Sequence, residues 1–269
     1  MKNYISTAVL LAITMNMMAC NTKKDVMEDV NASPAHTGII TRTLDIKDFD
    51  RIDCSGCVTI YFSQGEKYSV KEEIKGKETN LISQHDNTLQ IKNHKDNARN
   101  NNNSRTTLYI TAPRLAYITN RGVMIFTASN LNLDNFTMEN SGVLNFYFTS
   151  LYCNNMSKTN SGVEKISGKV KAQTMEIKNS GSEKDRLDIE ANTLNIGNSG
   201  EGKFSINYNG TTAEIRNSGT GALNINVNCK HLNASNSGVS NFQISGTADD
   251  TKINNAGVSS IDTSKLNKY

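Results

Sequence analysis

Apolar residues in the second half of the chain occur at every second position within short clusters, and the clusters recur at intervals of 19 or 20 residues. Phe204 and Ile206 form one cluster, and Ala213 and Ile215 form the next cluster of the same unit. Alternation with a period of two places one set of side chains on one face of an extended strand. The pattern therefore predicts two or three short strands in every unit.

A repeated Asn-x-Gly motif marks the register of these units, and six of its eight copies read Asn-Ser-Gly. The motifs begin at Asn120, Asn140, Asn160, Asn179, Asn198, Asn217, Asn236 and Asn255. A unit this short cannot bury its apolar face alone, whereas stacked units bury a continuous core. The sequence therefore predicts an all-β fold: a right-handed parallel β-helix (solenoid) of about nine coils with 19–20-residue repeats, across residues 39–269.

The motif residues themselves are predicted to be architectural. Each asparagine lies two positions after the last inward apolar residue, so it should also point inward, where stacked amides can hydrogen-bond from coil to coil. The glycine two positions later either supplies a backbone with positive φ or permits close packing where a Cβ would clash. The turn glycines are Gly56, Gly122, Gly142, Gly162, Gly181, Gly200, Gly219, Gly238 and Gly257.

The pattern extends upstream, but with an interruption. Cys54-Ser55-Gly56 aligns with Asn-Ser-Gly, and Asn120 closes that coil 66 residues later. The residues in excess of one 19-residue repeat predict an antiparallel β insertion at about residues 64–112, with a hairpin turn at His85-Asp86-Asn87. This insertion is expected to cap the end of the solenoid. Asp185 occupies an inward apolar position of the repeat, so a local shift of the coil is expected there.

Two further motifs flank the insertion. The pattern Phe49-x-x-Ile52-x-x-x-Gly56-x-Val58-x-Ile60 precedes it, and Ala112-Pro113-x-Leu115-x-x-Ile118 leads into the first Asn-x-Gly turn. Together with the repeated glycine-containing turns, these motifs resemble the putative auto-transporter adhesin, head GIN domain family over residues 40–265. The resemblance implies a β-helical fold and a secreted or lipid-anchored surface protein of Bacteroidetes-type bacteria, and it brings no catalytic residues with it.

The N-terminal segment indicates export. Residues 1–20 carry one charge, Lys2, before an apolar stretch that ends at Cys20, which is typical of a secretory signal peptide. Met17-Met18-Ala19-Cys20 resembles a bacterial lipobox, with methionine where leucine is usual. Cys20 would then carry the lipid, and residues 21–38 would form a flexible tether. We expect anchoring in the outer membrane, on its periplasmic side or at the cell surface; ordinary cleavage that leaves a free Cys20 is the alternative.

Composition and charge narrow the class of protein. Asparagine provides 37 of the 269 residues, and it competes with helices for backbone hydrogen bonds. This argues against a helix bundle and against a multi-span membrane protein. The formal net charge is +3 and no block of like charge stands out, so a nucleic-acid partner is not expected.

Two residue patterns suggest a reactive or metal-binding site. Cys54-x-x-Cys57 suggests a redox or metal site, but zinc needs four ligands and the repeat assigns both cysteines to structural positions. Glu164 and Glu183 share an offset in neighbouring coils, about 5 Å apart between Cα atoms, near the carboxyl spacing of a retaining glycosidase. Lysines at the next offset favour a solvated face of alternating charges instead. These lysines are Lys165, Lys184 and Lys203.

The preferred functional hypothesis is a non-enzymatic cell-surface lipoprotein that serves as an adhesin or binding scaffold for a glycan or an envelope partner. A carbohydrate-active β-helix enzyme, either a polysaccharide hydrolase or a lyase, is the alternative. Residues 92–105 form an asparagine-rich basic loop that either binds anions or glycans or is a disordered insertion. No catalytic residue, cofactor or metal ligand is predicted, and the oligomeric state is left open.

Overall fold

The computed structural model describes residues 38–76, 80–93 and 105–268, and within these ranges the regular structure is entirely β-strand. The predicted signal peptide with Cys20, the tether up to residue 37 and residues 94–104 of the basic loop lie outside the described residues. In the described part of the chain there is no helix with the length and apolar character needed to cross a membrane. The strands are β1 (Ile39–Leu44), β2 (Arg51–Cys54), β3 (Cys57–Gln64), β4 (Ser69–Lys75), β5 (Asn80–His85), β6 (Thr88–Asn93), β7 (Arg105–Ala112), β8 (Tyr117–Asn120), β9 (Val123–Asn132), β10 (Asn135–Asn140), β11 (Val143–Tyr152), β12 (Asn155–Asn160), β13 (Val163–Asn179), β14 (Ser182–Asn198), β15 (Glu201–Asn217), β16 (Thr220–Asn236), β17 (Val239–Asn255) and β18 (Ile261–Lys268).

These strands stack in parallel into a β-solenoid of about eight turns, which confirms the predicted fold class. Each of the strands β13 to β17 contributes 17 residues, and successive strands of this set pair so that residues 19 apart in sequence lie side by side. The pairing of β17 with β18 shifts its register between Gln243 and Ser245. The number of turns differs slightly from the nine coils predicted.

The core is a set of apolar columns that run along the solenoid axis. In β15 the side chains of Phe204, Ile206 and Tyr208 are buried, and the residues between them are exposed. The rings of Phe126 and Phe146, one coil apart, lie 5.1 Å from each other in an edge-on arrangement. Because each coil buries its inward face only against its neighbours, the stack is the unit of stability.

The pairing register between neighbouring coils does not change at Asp185, where the sequence predicts a local shift. The step from 20- to 19-residue spacing occurs in β11, where pairing with β13 shifts between Tyr147 and Ser150. Asp185 causes no shift, because it pairs with Ile166 on one side and with Phe204 on the other in unbroken ladders. The predicted local shift at Asp185 is therefore wrong, and the carboxylate is buried in the apolar column instead.

The insertion is only partly the antiparallel cap that the sequence predicts. Strands β6 and β7 pair in parallel with β2 and β3, so they form a further coil on the outer side of the first one. Strand β5 pairs antiparallel with β6 through a hairpin at Asp86, and β4 and then β1 add antiparallel strands next to β7. The parallel coil was not predicted because the insertion does not carry the 19-residue pattern.

Candidate functional site

The asparagines of the repeat form a hydrogen-bonded column inside the wall of the solenoid. From Asn120 onwards each Nδ2 donates to the Oδ1 of the asparagine one coil further along, at N···O distances of 2.7 to 2.9 Å. Most of them also donate to a backbone carbonyl of the next turn, as Asn179 does to Glu201. The column is buried as far as Asn236, and Asn255 is exposed at its end. It supplies partners to corner groups that would otherwise be buried without hydrogen bonds.

The N-terminal end of this column contains a residue that sequence reasoning missed. Cys54 takes the asparagine position beside Asn120, as the alignment of the repeat implies. Beyond it, Asn80 of β5 donates from Nδ2 to the Cys57 carbonyl at 2.7 Å and accepts from the Cys57 amide at 3.2 Å. Because Asn80 comes from the insertion, no signal in the 19-residue register marks it.

The turn glycines are explained by the close approach of successive coils. A Cβ atom on Gly200 would lie 2.1 Å from the carbonyl oxygen of Gly181, and one on Gly142 would lie 2.1 Å from that of Gly122. None of the nine turn glycines has a positive φ. Close packing, rather than a left-handed backbone, is therefore what requires glycine here.

Asn198→Ala is expected to lower the free energy of unfolding by about 1–3 kcal/mol, because buried partners lose their hydrogen bonds. Asn198 accepts a hydrogen bond from Asn179 at 2.8 Å and donates one to Asn217 at 2.7 Å. The substitution would leave the side chains of Asn179 and Asn217 each without one hydrogen-bond partner. Thermal denaturation followed by circular dichroism measures the effect. Asn224→Ala, at an exposed outward position of β16, is the control. Equal melting temperatures for the two variants would contradict a structural role of the column.

Four charged side chains lie inside the solenoid, where the sequence predicts a solvated face. Lys158 Nζ lies 2.5 Å from Glu164 Oε1 and 2.5 Å from Glu183 Oε1. It also lies 3.2 Å from Asp185 Oδ2, and all four side chains are fully buried. The prediction that Glu164 and Glu183 face solvent is therefore wrong, because their position in the coil is an inward one that Leu144 shares. Only the lysines at the next position are exposed.

This buried cluster contains an excess of carboxyl groups. Burial raises the pKa of Glu183 well above its ordinary value, and the charge of Asp185 raises it further against the effect of Lys158. Burial also raises the pKa of Glu164, and Lys158 opposes that shift. For Lys158 burial acts to lower the pKa, but the three carboxylates hold it well above its ordinary value. The carboxylate oxygens lie within 4.8 Å of one another, and the ammonium group occupies the space that a metal ion would need.

An open groove of about 500 Å³ lies on the outer surface, along the end of β11 and the middle parts of β13 to β16. Five coils contribute to it, so it extends about 19 Å along the axis at about 4.8 Å per coil. Two outward columns of side chains line it. The first contains Ser150, Lys169, Asp188, Asn207 and Asn226, and the second contains Tyr152, Lys171, Glu190, Asn209 and Asn228.

Neighbours within each column are joined by side-chain hydrogen bonds. Asn207 Nδ2 donates to Asp188 Oδ1 at 2.7 Å, and Asn228 Nδ2 donates to Asn209 Oδ1 at 3.1 Å. Thr247 continues the second column by donating to Asn228 Oδ1 at 2.8 Å. These contacts hold the amide groups in fixed orientations along the groove, with further donors and acceptors available to a ligand.

Charge in the groove is balanced and lies at one end. Lys169 and Lys171 stand beside Asp188 and Glu190 of the next coil. Lys171 Nζ contacts Glu190 Oε1 at 2.7 Å, and this hydrogen bond raises the pKa of Lys171. Tyr152, next to Lys171, is 48% exposed. The groove thus presents an aromatic ring and paired charges at one end and neutral amides at the other.

The Cys54-x-x-Cys57 motif does not present a reactive thiol at Cys54. Cys54 is a free thiol, buried in the asparagine column with its Sγ 3.6 Å from the Gly56 carbonyl oxygen. Burial raises its pKa to about 12. Since the thiolate is the form that attacks disulfides and binds metals, Cys54 is suited to packing rather than to either reaction.

A parallel solenoid with regular polar columns on its outer surface defines a repeat protein, in which short structural units stack along one axis. The family model described as putative auto-transporter adhesin, head GIN domain, matches residues 48–220 and 194–268. The chain therefore belongs to this family, and the resemblance stated above is confirmed. The family's description as an adhesin points to a surface or envelope location. None of the curated proteins compared with the chain matches it.

Solved structures of similar proteins share the fold. A putative adhesin from Bacteroides fragilis is 21% identical with a TM-score of 0.62, and the match covers 85% of this chain and 98% of that one. A putative adhesin from Parabacteroides merdae is 15% identical with a TM-score of 0.60, covering 87% and 98%. A putative lipid binding protein from Parabacteroides distasonis is 17% identical with a TM-score of 0.52, also covering 87% and 98%. At these identities the likeness establishes the fold alone.

Proposed function

We propose that this protein is a non-enzymatic adhesin of the cell envelope and that its groove binds an extended glycan. The observation that carries the proposal is the pair of polar columns that line the groove over five coils, with the exposed ring of Tyr152 at one end. Side-chain amides can donate to and accept from sugar hydroxyl groups, and an aromatic face can pack on the apolar face of a sugar ring. Family membership is consistent with this role.

The charges of the groove favour a neutral ligand. The two lysines at one end are balanced by Asp188 and Glu190, and Glu190 is already paired with Lys171. The remaining polar positions, such as Asn209 and Asn226, are uncharged. A highly charged polymer would find no net attraction in a groove with two cations and two anions, whereas a neutral polysaccharide needs only hydrogen bonds and stacking.

The geometry gives little support to the enzyme alternative. The carboxyl pair that suggested a glycosidase, Glu164 and Glu183, has no exposed side-chain surface, so a polysaccharide cannot reach it. In the groove, Asp188 accepts a hydrogen bond from Asn207 and Glu190 is held by Lys171. An acid catalyst needs access to the glycosidic oxygen, which the buried pair lacks, and both groove carboxylates are already hydrogen-bonded to neighbouring side chains.

Tyr152→Ala is expected to weaken glycan binding about tenfold or more, since an aromatic ring that packs on a sugar contributes on the order of 1.4 kcal/mol or more. A glycan array with the purified protein identifies the ligand, and titration calorimetry then measures its dissociation constant. Tyr61→Ala is the matched control, because Tyr61 is 46% exposed on a coil outside the groove. Equal losses in both variants, or none in either, would argue against the groove as the binding site. Cleavage of a bound polysaccharide would contradict the non-enzymatic assignment.

The proposal includes a lipid anchor at Cys20 in the outer membrane, supported by the lipobox-like residues 17–20 and by the adhesin description of the family. Cys20→Ser is expected to move the protein from the membrane fraction to the soluble fraction, because the acyl chains supply the membrane affinity. Cell fractionation with immunoblotting measures the distribution, and Cys153→Ser is the control. Unchanged co-sedimentation of the Cys20 variant with membranes would contradict lipidation.

A further inference from the structure

We propose that the solenoid contains an intramolecular isopeptide bond between Nζ of Lys158 and Cγ of Asp185. The bond is a covalent modification of the interior and does not depend on ligand binding in the groove. The inference rests on one primary amine and three carboxyl groups that are enclosed together away from solvent. Such an enclosure is the condition under which an amine and an acid can condense within a protein.

The two reacting groups are already in contact. Lys158 Nζ lies 3.2 Å from Asp185 Oδ2, which leaves the adjacent carboxyl carbon within reach of the nitrogen. Glu164 and Glu183 accept hydrogen bonds from Nζ at 2.5 Å each, whereas Asp185 accepts none from it. The two glutamates are therefore placed to take protons from the nitrogen. Asp185 is placed to supply the acyl group.

The surroundings favour the amide over the ion pair. Lys158 and Asp185 each occupy an inward position that neighbouring coils fill with apolar side chains. These neighbours are Met138, Ile177, Ile166 and Phe204. Holding an ion pair in such an interior carries a desolvation penalty, and an amide replaces both charges with one neutral group. The bond also accounts for a lysine at a position that otherwise requires an apolar residue.

The reaction balances without a cofactor or an oxidant. A glutamate carboxylate takes one proton from the Lys158 ammonium, and the freed electron pair on Nζ attacks Cγ of Asp185 to form the N–C bond. A second proton passes from the nitrogen to a glutamate, and the glutamates deliver protons to one Asp185 oxygen. The C–O bond to that oxygen breaks and water departs. One carboxyl oxygen and two ammonium protons are lost as water, and Glu164 and Glu183 return to their starting states.

Mass spectrometry of the purified protein tests the bond. The denatured wild-type chain should be lighter, by the mass of one water molecule, than its processed and lipid-modified sequence requires. Trypsin does not cleave after an acylated lysine. Digestion should therefore yield a branched peptide in which residues 122–165 carry the dipeptide Asp185-Arg186, which cleavage after Lys184 and Arg186 releases from the chain.

Variants of the cluster complete the test. Lys158→Met should show the full mass of its sequence, whereas Lys165→Met, at an exposed position, should retain the loss of water. Glu183→Gln should slow bond formation, and an unchanged rate would overturn the role of Glu183 in proton transfer. A branch that carries residues 179–184 would place the bond at Glu183 and overturn the choice of Asp185. Wild-type protein with its full sequence mass after prolonged incubation, and with peptides ending at Lys158, would overturn the proposal regardless of how the variants fold.

Discussion

Gly200→Ala is expected to lower the free energy of unfolding by about 3 kcal/mol or more, or to prevent folding altogether. The new Cβ would lie 2.1 Å from the carbonyl oxygen of Gly181 and 2.6 Å from the carbonyl carbon of Ser180. Both are backbone atoms of the preceding coil, so no side chain can rotate away to make room. The turn would have to open, and the 2.8 Å hydrogen bond between Asn179 and Asn198 would be strained with it.

Gly197→Ala provides the control three residues earlier in the same coil. A Cβ there would meet only the carbonyl oxygen of Ile177, at 4.0 Å. Its stability should be unchanged or slightly raised, because alanine loses less backbone entropy than glycine on folding. Urea unfolding of both variants gives the comparison. Similar losses at positions 197 and 200 would show that the glycines are not selected by the spacing between coils.

Lys158→Met is expected to destabilise the protein by about 3–5 kcal/mol at neutral pH, because it leaves three buried carboxyl groups with no lysine to pair with them or bond to them. Packing should suffer little, since Met138 and Ile177 occupy the same column. Loss of the proposed isopeptide bond would also lower the free energy of unfolding. Chemical denaturation measures the change, with Lys165→Met as the control, for which stability should stay within about 0.5 kcal/mol of wild type.

The Lys158→Met variant should also show a distinctive dependence on pH. Burial raises the folded-state pKa values of Glu164 and Glu183, and without Lys158 nothing in the cluster opposes that shift. A carboxyl group whose pKa is raised on folding stabilises the folded state below its ordinary value of 4.5, and this contribution is lost as the pH rises through the folded-state value. Stability should therefore fall from acidic to neutral pH. A stability that rises with pH over this range would contradict the assignment.

Repetition made the architecture predictable. A residue and its counterpart 19 positions later lie side by side, so a column in the sequence register is also a column in space. The asparagine column and the glycine turns follow from that relation alone, as does the alternation of buried Phe204 and Ile206 with exposed residues. The same relation placed Asp185 at an inward position, and it would have done so for Lys158, because its counterparts Met138 and Ile177 are apolar. The exposed lysines at the next offset concealed only the burial of Glu164 and Glu183.

What the sequence by itself determined is the set of contacts between equivalent positions: the β-solenoid, its core columns, the asparagine column and the turn glycines. Only the tertiary structure decided which non-equivalent positions meet. Lys158 precedes an Asn-x-Gly turn and Glu164 follows it, and their approach depends on how sharply the wall bends there. Asn80 and the parallel coil of β6 and β7 likewise come from a segment without the repeat. The physical reason is that periodicity reports stacking along the axis, whereas contacts across a turn or with the insertion depend on the three-dimensional path of the chain.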